Sequence, residues 1–230
     1  MAELEPRLTP VVLRHEEVQL TFLGHASFRI ESGGSVTIVT DYTGAAGGTA
    51  PDVVTMNRAH STHYTDSPDP AIPHVLRGWS VGGAPARHDL EIGDVRIRNV
   101  TTDIRGGVAG RVPDGNSIFI FEVAGLCIGH LGHLHHELSP QTLGAIGRLD
   151  VVLVPVDGSY TMAQSTMLKV LADLRARLVI PMHFFGPATL ARFIAAASPD
   201  FEVEMARSPV VVLSAAALPK RPKLLVLPGY

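Results

Sequence analysis

Three apolar runs in this chain end on histidines, and that recurrence constrains the fold more than any other feature. "PDVVTM" leads into "NRAHSTHYTD", which carries His60 and His63. "GLCIGHLGHLHH" carries His130, His133, His135 and His136, and "RLVIPMHFFG" ends its apolar part at His183. Short apolar runs bounded by turn residues read as buried strands. Histidines repeatedly placed at the ends of such strands would meet at one edge of a layered sheet fold, where ligand sites form. One histidine after a strand is ordinarily a hydrogen-bonded side chain and nothing more. Three separate segments sharing the placement point to a common site.

The other segments supply the sheets. "VQLTFLGHASFRIES" and "SVTIVTD" read as two or three short strands joined by glycine-containing turns. "LEIGDVRIRNV" predicts a hairpin turning at Gly93-Asp94, and "NSIFIFEVAGLCIGHLG" another turning at Ala124-Gly125. The texture then changes to alternating helix and strand. Ser139 and Pro140 open a helix as cap and first residue. "DVVLVPV" is a buried strand, "TMAQSTMLKVLADLRA" has helical apolar spacing, and "PATLARFIAAA" follows the last histidine strand as a helix. "SPVVVLS" and "PKLLVLP" close the chain as strands. No linker or repeat interrupts the 230 residues, so one domain over 1–230, with its core at about 18–213, is expected.

Composition excludes several function classes. A net charge of −3 offers no global attraction to nucleic acid or to an acidic membrane. No stretch approaches the roughly 18 to 20 apolar residues that span a bilayer. "MAELEPRLTP" lacks the basic start and apolar region of a signal peptide, so a cytoplasmic location is expected, with a mature periplasmic form as the alternative. The single cysteine, Cys127, makes neither an internal disulfide nor a thiolate zinc cluster and is expected as a small buried hydrophobe.

Chemistry therefore rests on the histidines. Neutral imidazoles bind zinc, manganese or iron, and a catalytic site needs about three protein ligands with a position left for water. His15, His74 and His88 are expected to be solvated or locally bonded. His135 and His136 are expected at a helix entry, at most one facing the site. His25 in "GHAS" and Asn116 in "DGNSIFIF" either line the cleft or serve their own turns, and Asp157, Tyr160 and Thr161 in "PVDGSYT" are placed to shape the pocket. Trp79 is core or pocket wall.

Four landmarks in order, "FLGHASFRIE", "VTIVTD", "CIGHLGHL" and "VIPMHFFG", resemble the metallo-β-lactamase superfamily. The branch most similar is that of ascorbate-6-phosphate lactonase and the phospholipase D-type hydrolases, and the resemblance runs from about Val18 to Gly186. It implies an α/β fold, a four-layered αββα sandwich with a di-metal site at one edge. The family's HxHxDH motif falls here on Arg58, His60, Thr62 and His63, so its first histidine is arginine and its aspartate threonine. The bridging aspartate falls on His133, the final histidine is kept as His183, and "TTDIRGG" lacks the middle one. Asp41 matches a carboxylate that supports the metal loop from behind.

These departures argue against a conventional two-metal site. Guanidinium has no free lone pair, so Arg58 cannot coordinate. A neutral imidazole at position 133 does not readily bridge two cations. The expectation is one divalent transition metal, zinc first, with iron, manganese, nickel or copper as alternatives, held by His63, His133 and His183 together with His60. Asp41, Thr62 and His130 would support these ligands. Arg58 would either bind a substrate anion or oxyanion or fill the vacancy by pairing with Asp41 or Asp66. With threonine at position 62, proton handling would pass to His60 or to metal-bound hydroxide. The function expected is a metal-dependent hydrolase attacking a small anionic ester, lactone or phosphodiester through metal-bound water. Arg58 and His60 would be catalytic, and Arg58, His25 and Asn116 would bind substrate. The alternatives are an inactive binding protein of this fold and a mononuclear iron or copper redox protein. The partner is a small molecule; oligomeric state is left open.

Overall fold

Period-2 burial along the strands sorts their side chains into two cores and so defines the layers. A computed structural model describes residues 12–58, 60–106 and 110–229. The first sheet contains β1 (Val18–Gly24), β2 (Ser27–Ser32), β3 (Thr37–Val39), β4 (Val53–Met56), β5 (His74–Arg77) and β13 (Val210–Leu213), in the order β13-β1-β2-β3-β4-β5. The second contains β6 (Asp89–Ile92), β7 (Val95–Gly106), β8 (Gly110–Val123), β9 (Leu126–His130), β10 (Val151–Pro155), β11 (Leu178–Met182), β12 (Glu202–Met205) and β14 (Lys223–Val226). Its order is β12-β14-β11-β10-β9-β8-β7-β6.

The sheets face each other across one core. Leu20, Phe22, Phe28 and Ile30 of the first sheet meet Phe119, Phe121, Leu153 and Ile180 of the second. Phe22 and Phe28 pack with ring centroids 4.8 Å apart. Truncating a buried phenylalanine here would cost about 3–5 kcal/mol. The alternate residues of the second sheet, Ile118, Ile120, Val152, Val154 and Val179, turn outward under three helices. These are α1 (Pro140–Ile146), α2 (Gln164–Leu174) and α3 (Pro187–Ala197). Ser139 caps α1, accepting the Thr142 N–H, with proline in the first turn. Met167, Val170, Leu171 and Leu174 form the buried stripe of α2, as their spacing predicts.

The expected α/β sandwich of two facing mixed sheets is observed, with its helices on the second sheet. Among the described residues, the outer face of the first sheet is covered by loops, whose Tyr42, Tyr64 and Ile72 pack on Val39, Val54 and Met56. Trp79 joins this cluster, with its ring centroid 5.6 Å from that of Tyr64. Cys127 is half-buried against the helix-side core and not fully enclosed as expected. Two edge strands fall outside the sequence expectation: β5 is half-buried throughout with no alternation, and the β12 segment alternates Phe201, Val203 and Met205 with glutamates but is short and largely exposed. The β7–β8 hairpin also runs well beyond "VRIRNV", through a register irregularity between Thr102 and Ile104.

Direction matters more to the site than strand count. β3 and β4 are parallel, and so are β9, β10 and β11. Parallel strands end at a common edge, and the residues that follow those ends gather there.

Candidate metal centre

Each site residue follows a strand end. His25 comes after β1, Asp41 after β3, His60 and His63 after β4, His133 after β9, Asp157 after β10 and His183 directly after β11. His25, Asp41 and His183 all hold left-handed backbone angles, at φ of 50°, 42° and 53°. Non-glycine residues rarely sit there, and such strain collects at functional sites. The turns are tied together: the His183 N–H donates to the His25 carbonyl at 2.6 Å, and the Asn57 N–H to the His63 carbonyl at 3.1 Å.

His60, His63, His133 and His183 place one ring nitrogen each within 4.8 Å of one another. His63 Nε2 lies 3.1 Å from His183 Nε2, and His60 Nε2 lies 3.0 Å from His133 Nε2. The far nitrogens assign the protons. His63 Nδ1 lies 2.5 Å from Asp41 Oδ2, and His183 Nδ1 lies 3.1 Å from Asp157 Oδ1. An ionised carboxylate only accepts, so both Nδ1 atoms carry hydrogen; in the neutral rings that a metal binds, both Nε2 atoms then turn lone pairs toward each other. Two facing lone pairs at this separation repel unless a cation lies between them. A tetrahedral ion with Zn–N bonds of 2.0–2.1 Å sets its ligands roughly 3.3 Å apart. The donor set therefore fits a transition metal, and carboxylate–imidazole pairs of this kind are the usual backing of metal-binding histidines.

The other two histidines have neutral backing. Thr62 Oγ1 lies 2.7 Å from His60 Nδ1 and 3.0 Å from His25 Nε2. With the threonine hydroxyl donating to His25, His60 donates through Nδ1 and also presents its Nε2 lone pair. His133 Nδ1 contacts His135 Nε2, and His135 Nδ1 accepts the Arg105 backbone N–H at 2.8 Å. That N–H requires a lone pair on His135 Nδ1, so the His135 proton is on Nε2 and is donated to His133. His133 then carries its own proton on Nε2, facing His60. Ligation by His133 requires the His135 contact to turn over, and His60, whose Nε2 accepts the His133 N–H at 3.0 Å, is freed by the same change; His63 and His183 are ready as they stand.

Burial sets the charges. It depresses the pKa of His60 to about 4, with His63 and His183 adding to the effect. Burial likewise takes His25 to about 3, aided by His183 and His63, and His135 to about 4, aided by Arg105. His133 is pushed far below the ordinary imidazole range by burial and then by His63 and His183. These rings are neutral near pH 7, so protons do not compete with a metal there. The carboxylates behave oppositely. Burial alone would raise Asp41, but His63, His130 and Asn57 outweigh it and hold the group ionised. Asp157 is also raised by burial and then brought well below the usual range by His183, Thr161 and Ser159.

The supporting residues lie deeper. Asn57 donates to Asp41 Oδ1 at 3.0 Å and accepts the Ser117 N–H at 2.7 Å, bridging the two sheets. His130 donates through Nε2 to the Ala26 carbonyl at 2.8 Å and accepts the Gly132 N–H on Nδ1 at 3.1 Å, so both its nitrogens are used. Asn116 is fully buried. It accepts the His133 N–H at 2.7 Å and donates to Thr102 Oγ1 at 2.8 Å, which fits a holder of the His133 loop better than a substrate contact. Gly132, at φ 58°, passes so close that a Cβ would lie 2.4 Å from Asn116 Oδ1 and 2.5 Å from Asn57 Nδ2.

Arg58 is exposed, and among the described residues it pairs with neither Asp41 nor Asp66. Asp157 is more central than pocket shaping suggested, since it orients His183. Its signal was present: it follows an apolar strand just as Asp41 does. Arg105 went unnoticed because nothing in its local sequence marks it. Its Nη2 donates to the carbonyls of Ser159 at 2.8 Å and Tyr160 at 2.7 Å, and to that of Thr161. His88 is locally bonded, to the Arg77 carbonyl at 2.8 Å. His136 accepts the Asp103 N–H at 3.2 Å and stays out of the cluster.

A strand-end site between two facing sheets defines a class, and comparison with known proteins defines the family. The model of the beta-lactamase superfamily domain matches residues 19–183. The chain belongs to the metallo-β-lactamase superfamily. A UPF0173 metal-dependent hydrolase of Methanoregula boonei is 26% identical over 183 residues, covering 73% of this chain and 82% of that protein. Its counterpart in Pyrococcus abyssi is 26% identical over 190 residues, with 73% and 84% covered. Among solved structures, a Thermotoga maritima protein described as a candidate zinc-dependent hydrolase of this superfamily is 28% identical. It superposes with a TM-score of 0.65, covering 91% of this chain and 98% of that one. Among the described residues no helix is long and apolar enough to cross a membrane.

Proposed function

We propose that this protein is a metal-dependent hydrolase with one divalent ion, zinc by preference, at the histidine cluster. The observation that carries this reading is the pair of Nε2 lone pairs on His63 and His183, 3.1 Å apart and each backed by a buried carboxylate. Family membership and the metal-dependent hydrolases among its relatives support it. His63 and His183 supply two lone pairs, and His60 supplies a third once the His133 N–H that it accepts turns away. His133 either joins them after its contact with His135 turns over or offers its Nε2–H to the atom in the open position.

Charge favours one ion over two. Asp41 and Asp157 place two negative charges directly behind His63 and His183, and a single divalent cation balances them. A second ion would leave an uncompensated positive charge in a largely buried site. A divalent ion held by these histidines would lower the pKa of a bound water towards about 7 and would polarise an ester, lactone or phosphodiester oxygen.

The chain's own residues do the rest. Asp41 and Asp157 fix the tautomers of two ligands. Thr62 joins His60 to His25, giving a hydrogen-bonded route from the ligand shell to the cleft. Arg58 stands exposed on the same loop, where it would meet an anionic part of a substrate or the carboxylate of a product. The test is a screen of esters, lactones and phosphodiesters on zinc-loaded protein beside His63→Ala. Turnover lost in the variant supports the reading. No turnover on any class by fully metallated protein contradicts it.

A further inference from the structure

An apolar cleft that the reaction chemistry does not require reaches the histidine cluster through His25 and Phe185, whose ring centroids lie 4.2 Å and 5.3 Å from that of His183. This cleft, of about 440 Å³, is lined by Phe22, Phe184, Phe185, Pro187, Leu190 and His25. It lies within the roughly 300–1,000 Å³ range of small-molecule pockets. His25 also lines a second cleft of about 410 Å³ on its other side, bounded by Ser27, Thr43, Ser61 and Thr62. His25 thus lines both an aromatic cleft and a hydroxyl-rich one.

Two exposed aromatic rings stand at this mouth. Phe185 is 58% exposed and Tyr160 is 61% exposed. Their centroids are 5.2 Å apart, with Phe185 5.3 Å from His183 and Tyr160 6.3 Å from His60. Leaving large apolar rings in water at a site mouth is costly unless a ligand covers them. Their placement is also built. Arg105 holds the Ser159–Thr161 loop by its carbonyls, and that loop carries Tyr160. Neither cleft is lined by lysine, arginine, aspartate or glutamate among the described residues. The Arg105 guanidinium is already committed to those carbonyls.

We propose that the substrate carries an uncharged aromatic or ring-sized apolar group, seated on Phe22, Phe184, Phe185, Pro187 and Leu190, next to its scissile ester or lactone carbonyl. The inference rests on the hydrolase reading for the bond broken, but the binding of the apolar group does not depend on turnover. The more polar end of the substrate lies across His25, among the hydroxyls of the second cleft.

The test uses zinc-loaded, full-length protein and two uncleavable ketones, 4-phenyl-2-butanone and 2-butanone, with affinities measured by ligand-detected NMR. The phenyl compound should bind at least about tenfold more tightly, the yield of burying one ring. Phe185→Ala and Leu190→Asp should each bring the ratio to within about twofold with zinc content unchanged. Equal affinity of the two ketones, or a preference untouched by both variants, would overturn the proposal. A phenyl preference persisting in fully metallated protein that turns over no ester, lactone or phosphodiester would support the subsite while sinking the hydrolase reading, so the two failures are distinguishable.

Discussion

His63 Nε2 and His183 Nε2 face each other at 3.1 Å although the two residues are 120 apart in sequence. Each arrives from the end of a different sheet, and each is held by its own buried carboxylate. Removing a carboxylate should therefore weaken the metal more than the fold. For Asp157→Asn, metal affinity measured by chelator competition should fall about 10- to 100-fold, with the circular dichroism spectrum retained. Unchanged affinity would remove Asp157 from the account.

The tautomer wiring makes a different forecast for His133. Because His135 donates to it, His133 presents an N–H, whereas His63 presents a lone pair. His63→Ala should abolish stoichiometric metal binding. His133→Ala should keep bound metal with roughly tenfold weaker affinity or less. Equal loss in both variants would show that His133 ligates as firmly as His63.

Gly132 should tolerate no side chain. Its left-handed backbone and the crowding by Asn116 and Asn57 mean that Gly132→Ala must displace the loop bearing His133. A destabilisation of about 1–3 kcal/mol is expected in urea unfolding. A stability unchanged within about 0.5 kcal/mol would contradict the packing described.

Acid should destabilise the metal-free protein in a defined window. His60 and His135 titrate near 4 and His25 near 3 in the folded chain, against 6.5 when unfolded. Between about 4 and 6.5 the unfolded chain binds more protons, so stability falls as pH drops through that range. Asp41 and Asp157, with depressed values, contribute stability above the unfolded carboxylate pKa that is lost at still lower pH. Urea midpoints of apoprotein between pH 7 and 4 test this, and a flat profile would contradict it.

Much of this was legible in the sequence because the buried strands are apolar runs whose ends are marked by histidine. β4, β9, β10 and β11 stand where their runs predict, and His60, His63, His133 and His183 meet at their ends. The edge strands β5 and β12 were not read: β5 is half-buried on both faces and has no alternation, while the alternation of Phe201, Val203 and Met205 at β12 spans too few residues to stand out beside the longer apolar runs. Nor were the contacts that set tautomers. Arg105 reaches His135 and the Tyr160 loop across 30 and 55 residues, and Asn57 reaches Ser117 across 60. Such contacts depend on strand order within the second sheet, for Arg105, and on how the two sheets face each other, for Asn57, and local spacing encodes neither.

The most direct measurement is metal content per chain, by elemental analysis of protein purified without chelators, beside His63→Ala. The account predicts about one equivalent of a transition metal in the native chain and essentially none in the variant. Two equivalents would contradict the charge balance argued from Asp41 and Asp157. No metal after incubation with zinc, manganese and iron would contradict the metal centre itself.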